Sequence, residues 1–161
     1  MQRLLRLACA LGCFVATQAQ AQSANGSFAV NASVLAGCLV NASTVNFGTL
    51  PIGAATPQVD AVGAIVVTCS NGIDYTVVLD RGANNQGANR RMRHATLAQF
   101  LTYDLYRDAA RTQRWRDTPG QDVSGTASGA AQSLPVYARL PAGQTPPAGA
   151  FLDTVTAIVR Y

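Results

Sequence analysis

Residues 62–80 read VGAIVVTCSNGIDYTVVLD, and their reading decides the fold class. Val62 to Cys69 is a dense apolar run, rich in β-branched residues and too short for a stable helix. It predicts a central, buried strand. Asn71-Gly72 is a tight-turn dipeptide, since both residues tolerate the left-handed backbone such turns require. Asp74 to Asp80 then reads as the return arm of a hairpin.

Working outward, the same strand-and-turn grammar recurs. Gly26 to Val34 (GSFAVNASV) alternates strictly, with Phe28, Val30, Ala32 and Val34 on one face. Thr44 to Leu50 predicts a short strand stopped by Pro51. Phe100 to Arg107 (FLTYDLYR) alternates again. Ser133 to Leu140 is a strand in which Pro135 marks an edge or bulge. Thr154 to Tyr161 (TVTAIVRY) is a final strand. Residues 81–95 read as a loop, and 108–132 as a long polar connection holding at most a short edge strand. Strands at this spacing predict an all-β sandwich.

Composition supports this. The chain has 161 residues, 12 Arg and 8 Asp, with neither Lys nor Glu. Helix-favouring charged residues are thus scarce, which argues against a helical bundle. Charged residues total 12%, against about 25% in an average domain.

Residues 1–21 carry the marks of a secretory signal peptide: Arg3 and Arg6, an apolar core from Leu7 to Val15, and Ala19-Gln20-Ala21 as a cleavage site. The rival is a lipoprotein signal with Cys13 as the lipid-bearing residue. Cleavage after Ala21 removes two arginines, leaving a net charge of 10 − 8 = +2. That is a weak basis for nucleic-acid binding, and none is expected. It also leaves Cys38 and Cys69, an even pair that in an exported chain predicts one disulfide. A 32-residue closed loop contributes roughly 3–4 kcal/mol in the chain-entropy model.

Enzymatic readings find little footing. His94 lies in RRMRHAT and reads as a solvated loop histidine. Asp80, Asp104 and Asp153 fall at strand ends, where turn and capping roles are commonest. The arginines at 90–93 and 107–116 read as a solvated or salt-bridged surface. Trp115 reads as a loop or core anchor. No catalytic residue, metal site, cofactor or small-molecule substrate is expected.

The ordered motifs together resemble a known family. They are Gly37-Cys38, Val45-Asn46-Phe47-Gly48, the run into Cys69, Asp74-Tyr75 and Arg91-Met92. Leu101, Tyr103, Leu105 and Tyr106 follow, then Val136 to Gln144 (VYARLPAGQ) and Asp153-Thr154-Val155-Thr156 with Tyr161. This order resembles the spore coat protein U domain, which also forms subunits of archaic chaperone–usher pili. One position departs: related chains often have Gly after the tryptophan, where this chain has Arg116, read as loop variation.

The resemblance implies an incomplete immunoglobulin-like β-sandwich of six core strands, missing its last strand and carrying an N-terminal donor strand. It implies three segments: a signal peptide (1–21), a donor-strand extension (22–36) and a pilin domain (37–161). The expected partners are identical or related subunits, a periplasmic chaperone and an outer-membrane usher. Assembly would be by donor-strand complementation into a cell-surface fimbrium serving attachment and biofilm formation. Phe28, Val30, Ala32 and Val34 are then the donor residues. Val155, Ala157, Val159 and Tyr161 line the acceptor groove, with the Tyr161 carboxylate anchoring the chaperone. Two alternatives come from other classes. One is a secreted monomeric β-sandwich binding module presenting loops 81–95 and 108–132. The other is an outer-membrane barrel, disfavoured because several strands are shorter than a span of 9–11 residues.

Overall fold

In β2 (Val59–Cys69) the alternation of the sequence becomes an alternation of burial: Ile65, Val67 and Cys69 point into the core and their neighbours point out. The same pattern holds in β7 (Gln132–Leu140), with Val136, Ala138 and Leu140 inward. The computed structural model describes residues 29–51 and 55–161. The signal-peptide and Phe28 assignments therefore lie outside the described residues. The chain divides into two units, 1–33 and 34–161. Of the first, residues 29–33 are described; they are exposed and carry no regular secondary structure.

Unit 34–161 is all-β, with no helix among the described residues. The remaining strands are β1 (Cys38–Ala42), β3 (Asp74–Leu79), β4 (Arg90–His94), β5 (Phe100–Tyr106), β6 (Val123–Thr126), β8 (Phe151–Leu152) and β9 (Ala157–Arg160). One sheet has the order β1-β2-β7-β5-β4-β8 and the other β6-β3-β9. All pairings are antiparallel. Tyr75, Val77 and Leu79 from the small sheet meet Ile65, Val67, Tyr103, Leu105, Val136 and Ala138 from the large one. This is an immunoglobulin-like β-sandwich.

Three expectations need correction. First, residues 62–80 do not form a hairpin. β2 lies in the large sheet and β3 in the small one, so the Asn71-Gly72 turn carries the chain across the sandwich. Gly72 has φ +79°, and its N–H is taken by Ala127 O at 2.8 Å. Second, residues 44–50 are not a strand; the paired segment is β1, just before them. Val45 and Phe47 still pack inward, and Phe47 meets the Tyr103 ring edge-on at 6.0 Å. Side-chain alternation survives there without a backbone partner. Third, the 81–95 loop contains β4, whose polar and charged residues gave no strand signal. As expected of its proline, however, β7 is central only from Tyr137 to Arg139, between β2 and β5, and is an edge along the part that holds Pro135. Its Pro135 faces Ala64 of β2 on one side, while the β5 pairing begins only at Tyr137. The proline thus sits where the second neighbour has already ended, and its missing N–H costs no ladder bond.

The polar interior was misread as well. Asp104 is buried in mid-strand and does not cap a turn. Its carboxylate receives Arg90 at 3.2 Å, Arg114 at 2.9 Å and Arg116 at 2.7 Å. Arg116, read as loop variation, is therefore a buried ion-pair partner. Arg90 is 1% exposed, and its guanidinium also donates to the backbone oxygens of Leu79, Asp80 and Trp115. Burial pushes the Arg90 guanidinium down from its ordinary value, and the Asp104 charge opposes that. Trp115 is fully buried and donates Nε1–H to Val77 O at 2.9 Å. Together these contacts fasten loop 107–122 onto the sandwich.

A second carboxylate positions β9. Asp80 Oδ1 accepts the N–H groups of Gly82 and Thr156, each at 2.9 Å, and Asp80 N–H donates to Thr156 O at 3.0 Å. Burial would raise the Asp80 carboxyl, but these amide bonds and the Arg90 charge hold it below the ordinary carboxylate value.

Two outcomes follow. Asp104→Asn leaves three guanidinium groups without a counter-charge, and urea unfolding should show a loss of about 3–5 kcal/mol. A depressed folded-state value means that Asp80 stabilises the fold above the unfolded aspartate value of about 4. That stability is lost as pH falls through the lower folded value. The gap in urea midpoint between the native chain and Asp80→Asn should therefore be wide at pH 6 and narrow toward pH 3. An unchanged gap would remove Asp80 as the clamp on β9.

Candidate functional site

The site is built by what β9 lacks. Among the described residues its only sheet neighbour is β3. Successive residues of a strand present their N–H and C=O to opposite sides. Thr156 bonds toward Asp80, so Ile158 and Arg160 face β3 as well. Val155, Ala157 and Val159 must then direct their backbone groups away from β3. The same three side chains are half-buried and pack against the core, while Ile158 is 41% exposed. Inward side chain and outward backbone thus coincide on alternate residues.

Across from β9 runs the other rim, β1 and the segment after it. β1 pairs with β2 on one side, and the Cys38–Cys69 disulfide ties the first residue of one strand to the last of the other. β1 approaches β9 within 8 Å between Cα atoms, without a ladder between them. Beyond Ala42 the rim bends against Gly63. Ser43 N–H donates to Ala64 O, and Ser43 Oγ accepts Ala64 N–H, both at 2.8 Å. A Cβ at Gly63 would come within 2.8 Å of the Val45 side chain, so this approach needs glycine.

Farther along, the rims separate into a cleft of about 530 Å³. Residues 44–51 form one wall and 146–152 the other, with Met92, Leu101 and Leu140 between. The second wall is held by His94, which is 6% exposed rather than solvated. Its Nδ1 accepts the N–H groups of Thr96 and Leu97 at 3.1 and 3.0 Å. The ring proton therefore sits on Nε2 and is donated to Ala148 O at 3.0 Å. Phe151 packs edge-on against the imidazole. Gly149 has φ +145°, and any Cβ there would strike the ring. Gln144 holds the first half of β5, with its amide oxygen on Thr102 N–H at 2.7 Å and its amide nitrogen on Thr102 O at 2.9 Å. Tyr103 donates to Asp153 at 2.7 Å, and burial first, then that carboxylate, pushes its phenol well above the usual value.

Of the residues expected to act, Cys38 and Cys69 are bonded, and Val155, Ala157 and Val159 share the inner side of the open edge. Tyr161 is 63% exposed and outside the strand. Val30 and Val34 are 82% and 90% exposed, and Ala32 is exposed too. These residues alternate like a strand but carry no strand pairing. Periodicity records which side chains can face a groove, whereas a strand also needs a backbone partner. The cleft residues Phe47, Met92, Leu101 and Leu140 were missed. They stood in the family-like motifs, but their apolarity does not separate a cleft floor from a core.

Three comparisons bear on this geometry. The model of the Spore Coat Protein U domain matches residues 24–158. Protein U of Myxococcus xanthus is 29% identical over 157 residues, covering 89% of this chain and 88% of that protein. A solved chaperone–tip subunit pre-assembly complex, CsuC–CsuE from the archaic chaperone–usher Csu pili of Acinetobacter baumannii, superposes with a TM-score of 0.59 at 29% identity. That match covers 80% of this chain but 40% of the other, so this chain spans less than half of its length. With a family model matched along most of its length and a fold that agrees, the chain belongs to the Spore Coat Protein U domain family.

Proposed function

We propose that this protein is an exported, non-enzymatic structural subunit of an archaic chaperone–usher pilus. It polymerises by donor-strand complementation at the cell surface and serves attachment and biofilm formation. The observation that carries this reading is the free edge of β9 and of the segment leading into it, where Val155, Ala157 and Val159 combine an outward backbone with a half-buried apolar side chain. Such an edge is an aggregation liability unless a partner strand covers it. Strand addition is the general solution, with backbone bonds supplying affinity and alternate side chains supplying register. The resemblance to the Csu pre-assembly complex supports a periplasmic chaperone as the first occupant. A neighbouring subunit's residues 22–36 follow it, and an outer-membrane usher exchanges the two.

The donor is the segment holding Phe28, Val30, Ala32 and Val34. Burying a large apolar side chain stabilises by about 1.5–3 kcal/mol, and each backbone bond adds about 1 kcal/mol. A strand inserted between two edges needs about 4.8 Å on each side. β1 and β9 lie closer than that sum, so the seam must widen there, whereas the 44–51/146–152 cleft is already open. The incoming strand therefore engages the cleft first and parts β1 from β9 as it advances. The Tyr161 carboxylate serves as the anchor for the chaperone's basic residues.

Denaturing gels of the periplasmic protein, unboiled and boiled, test this reading. The native chain should give a ladder that collapses on boiling, and deletion of residues 22–35 should abolish it. Val30→Asp should also abolish the ladder while leaving the free subunit's stability unchanged, because that side chain is 82% exposed. A single stable monomer in every sample, folded without a chaperone, would replace this reading with the secreted binding module.

A further inference from the structure

Loop 107–122 forms a second concavity that shares no residue with the seam. It is an open trough of about 540 Å³ at the end of β5, lined by Tyr106, Arg107, Arg111, Gln113, Arg114 and Gln121 among others. Its floor is set by backbone pairing: Tyr106 bridges Arg114, and Arg107 N–H donates to Gln113 O at 3.0 Å. No carboxylate is among the lining residues.

Among the lining residues the charges are not balanced, and the nearby Asp122 carboxylate is taken by Gly120 N–H and the Ser124 hydroxyl. Arg107 donates Nε–H to Gln113 Oε1 at 3.0 Å and Nη1–H to Asp122 O, both neutral acceptors, and forms no ion pair among the described residues. Arg114 reaches Asp104 through Nε alone, and Asp104 already faces Arg90 and Arg116. One carboxylate thus serves three guanidinium groups, and the Arg114 side chain is 52% exposed. Arg111 is spent on Asp60 and on backbone oxygens. Asp108 is turned into its own loop, accepting from Thr112 and Gln113.

Two under-neutralised guanidinium forks therefore share one polar trough with amide groups and a half-buried tyrosine ring. A guanidinium fork binds a carboxylate through two parallel hydrogen bonds. Amides take sugar hydroxyls, and an aromatic ring accepts the apolar face of a sugar. A nucleic acid would instead need a basic track along several phosphates. We infer that this trough binds an acidic sugar, with Arg107 and Arg114 holding a uronic acid carboxylate.

The test is calorimetric titration of the full chain, at low salt, with three probes: a galacturonic acid oligomer, neutral maltohexaose, and a single-stranded oligonucleotide. The galacturonic acid oligomer should bind and maltohexaose should not. Gln113→Glu keeps the acceptor for Arg107 but adds a negative charge, and should weaken binding at least about ten-fold, as should Arg114→Gln. Arg81→Gln, outside the trough, should leave it unchanged. Equal binding of maltohexaose, tighter binding of the oligonucleotide, or a Gln113→Glu variant that binds like the native chain would each overturn the assignment.

Discussion

A strand has two hydrogen-bonding edges, and water or a partner must satisfy each. That constraint acts on β9, whose only sheet neighbour among the described residues is β3. Val155, Ala157 and Val159 turn their backbone toward the open side and their side chains toward the core. A guest that bonds to this edge thereby also lays its own alternate residues over the sandwich interior. On the proposed reading, polymerisation and completion of the core are one event, so a bound strand leaves only with partial unfolding of its host. The edge of the large sheet farthest from β1 is treated differently. β8 has two residues, and β4 beside it carries Arg91 and Arg93, features that discourage edge pairing.

The other half of the molecule is organised by charge. Asp104 collects Arg90, Arg114 and Arg116, and Arg90 ties strand, loop and the Trp115 backbone together. Buried ion pairs contribute little net stability but become costly when one member is lost. These contacts fasten loop 107–122 to the sandwich, and Arg107 and the half-exposed Arg114 place positive charge in the trough that it forms. An apolar seam and a cationic trough thus occupy separate parts of one small domain.

Much of the strand pattern was legible because alternation of apolar residues reports one buried face directly. β2, β3, β5 and β7 follow from Val62–Cys69, Asp74–Asp80, Phe100–Arg107 and Ser133–Leu140 with shifts of a few residues. β4 was not legible, since RRMRH contains one apolar residue and owes its pairing to β5. His94 and Asp104 were misplaced for a related reason. Each is polar and looks solvent-bound in isolation, and each is buried by chain that arrives from elsewhere: residues 148–151 for His94, and Arg114 and Arg116 for Asp104.

The sequence alone determined the all-β class, most strand positions, the cysteine pair and the alternate residues that face inward, because these depend on local periodicity and residue chemistry. Tertiary structure decided which strands share a sheet. Asn71-Gly72 specifies a tight turn equally well whether its arms pair or pass to opposite sheets, and only the competition for partners between β3, β6 and β9 settles it. It also decided which edge stays open, because an unpaired backbone is a property of neighbours and not of any residue.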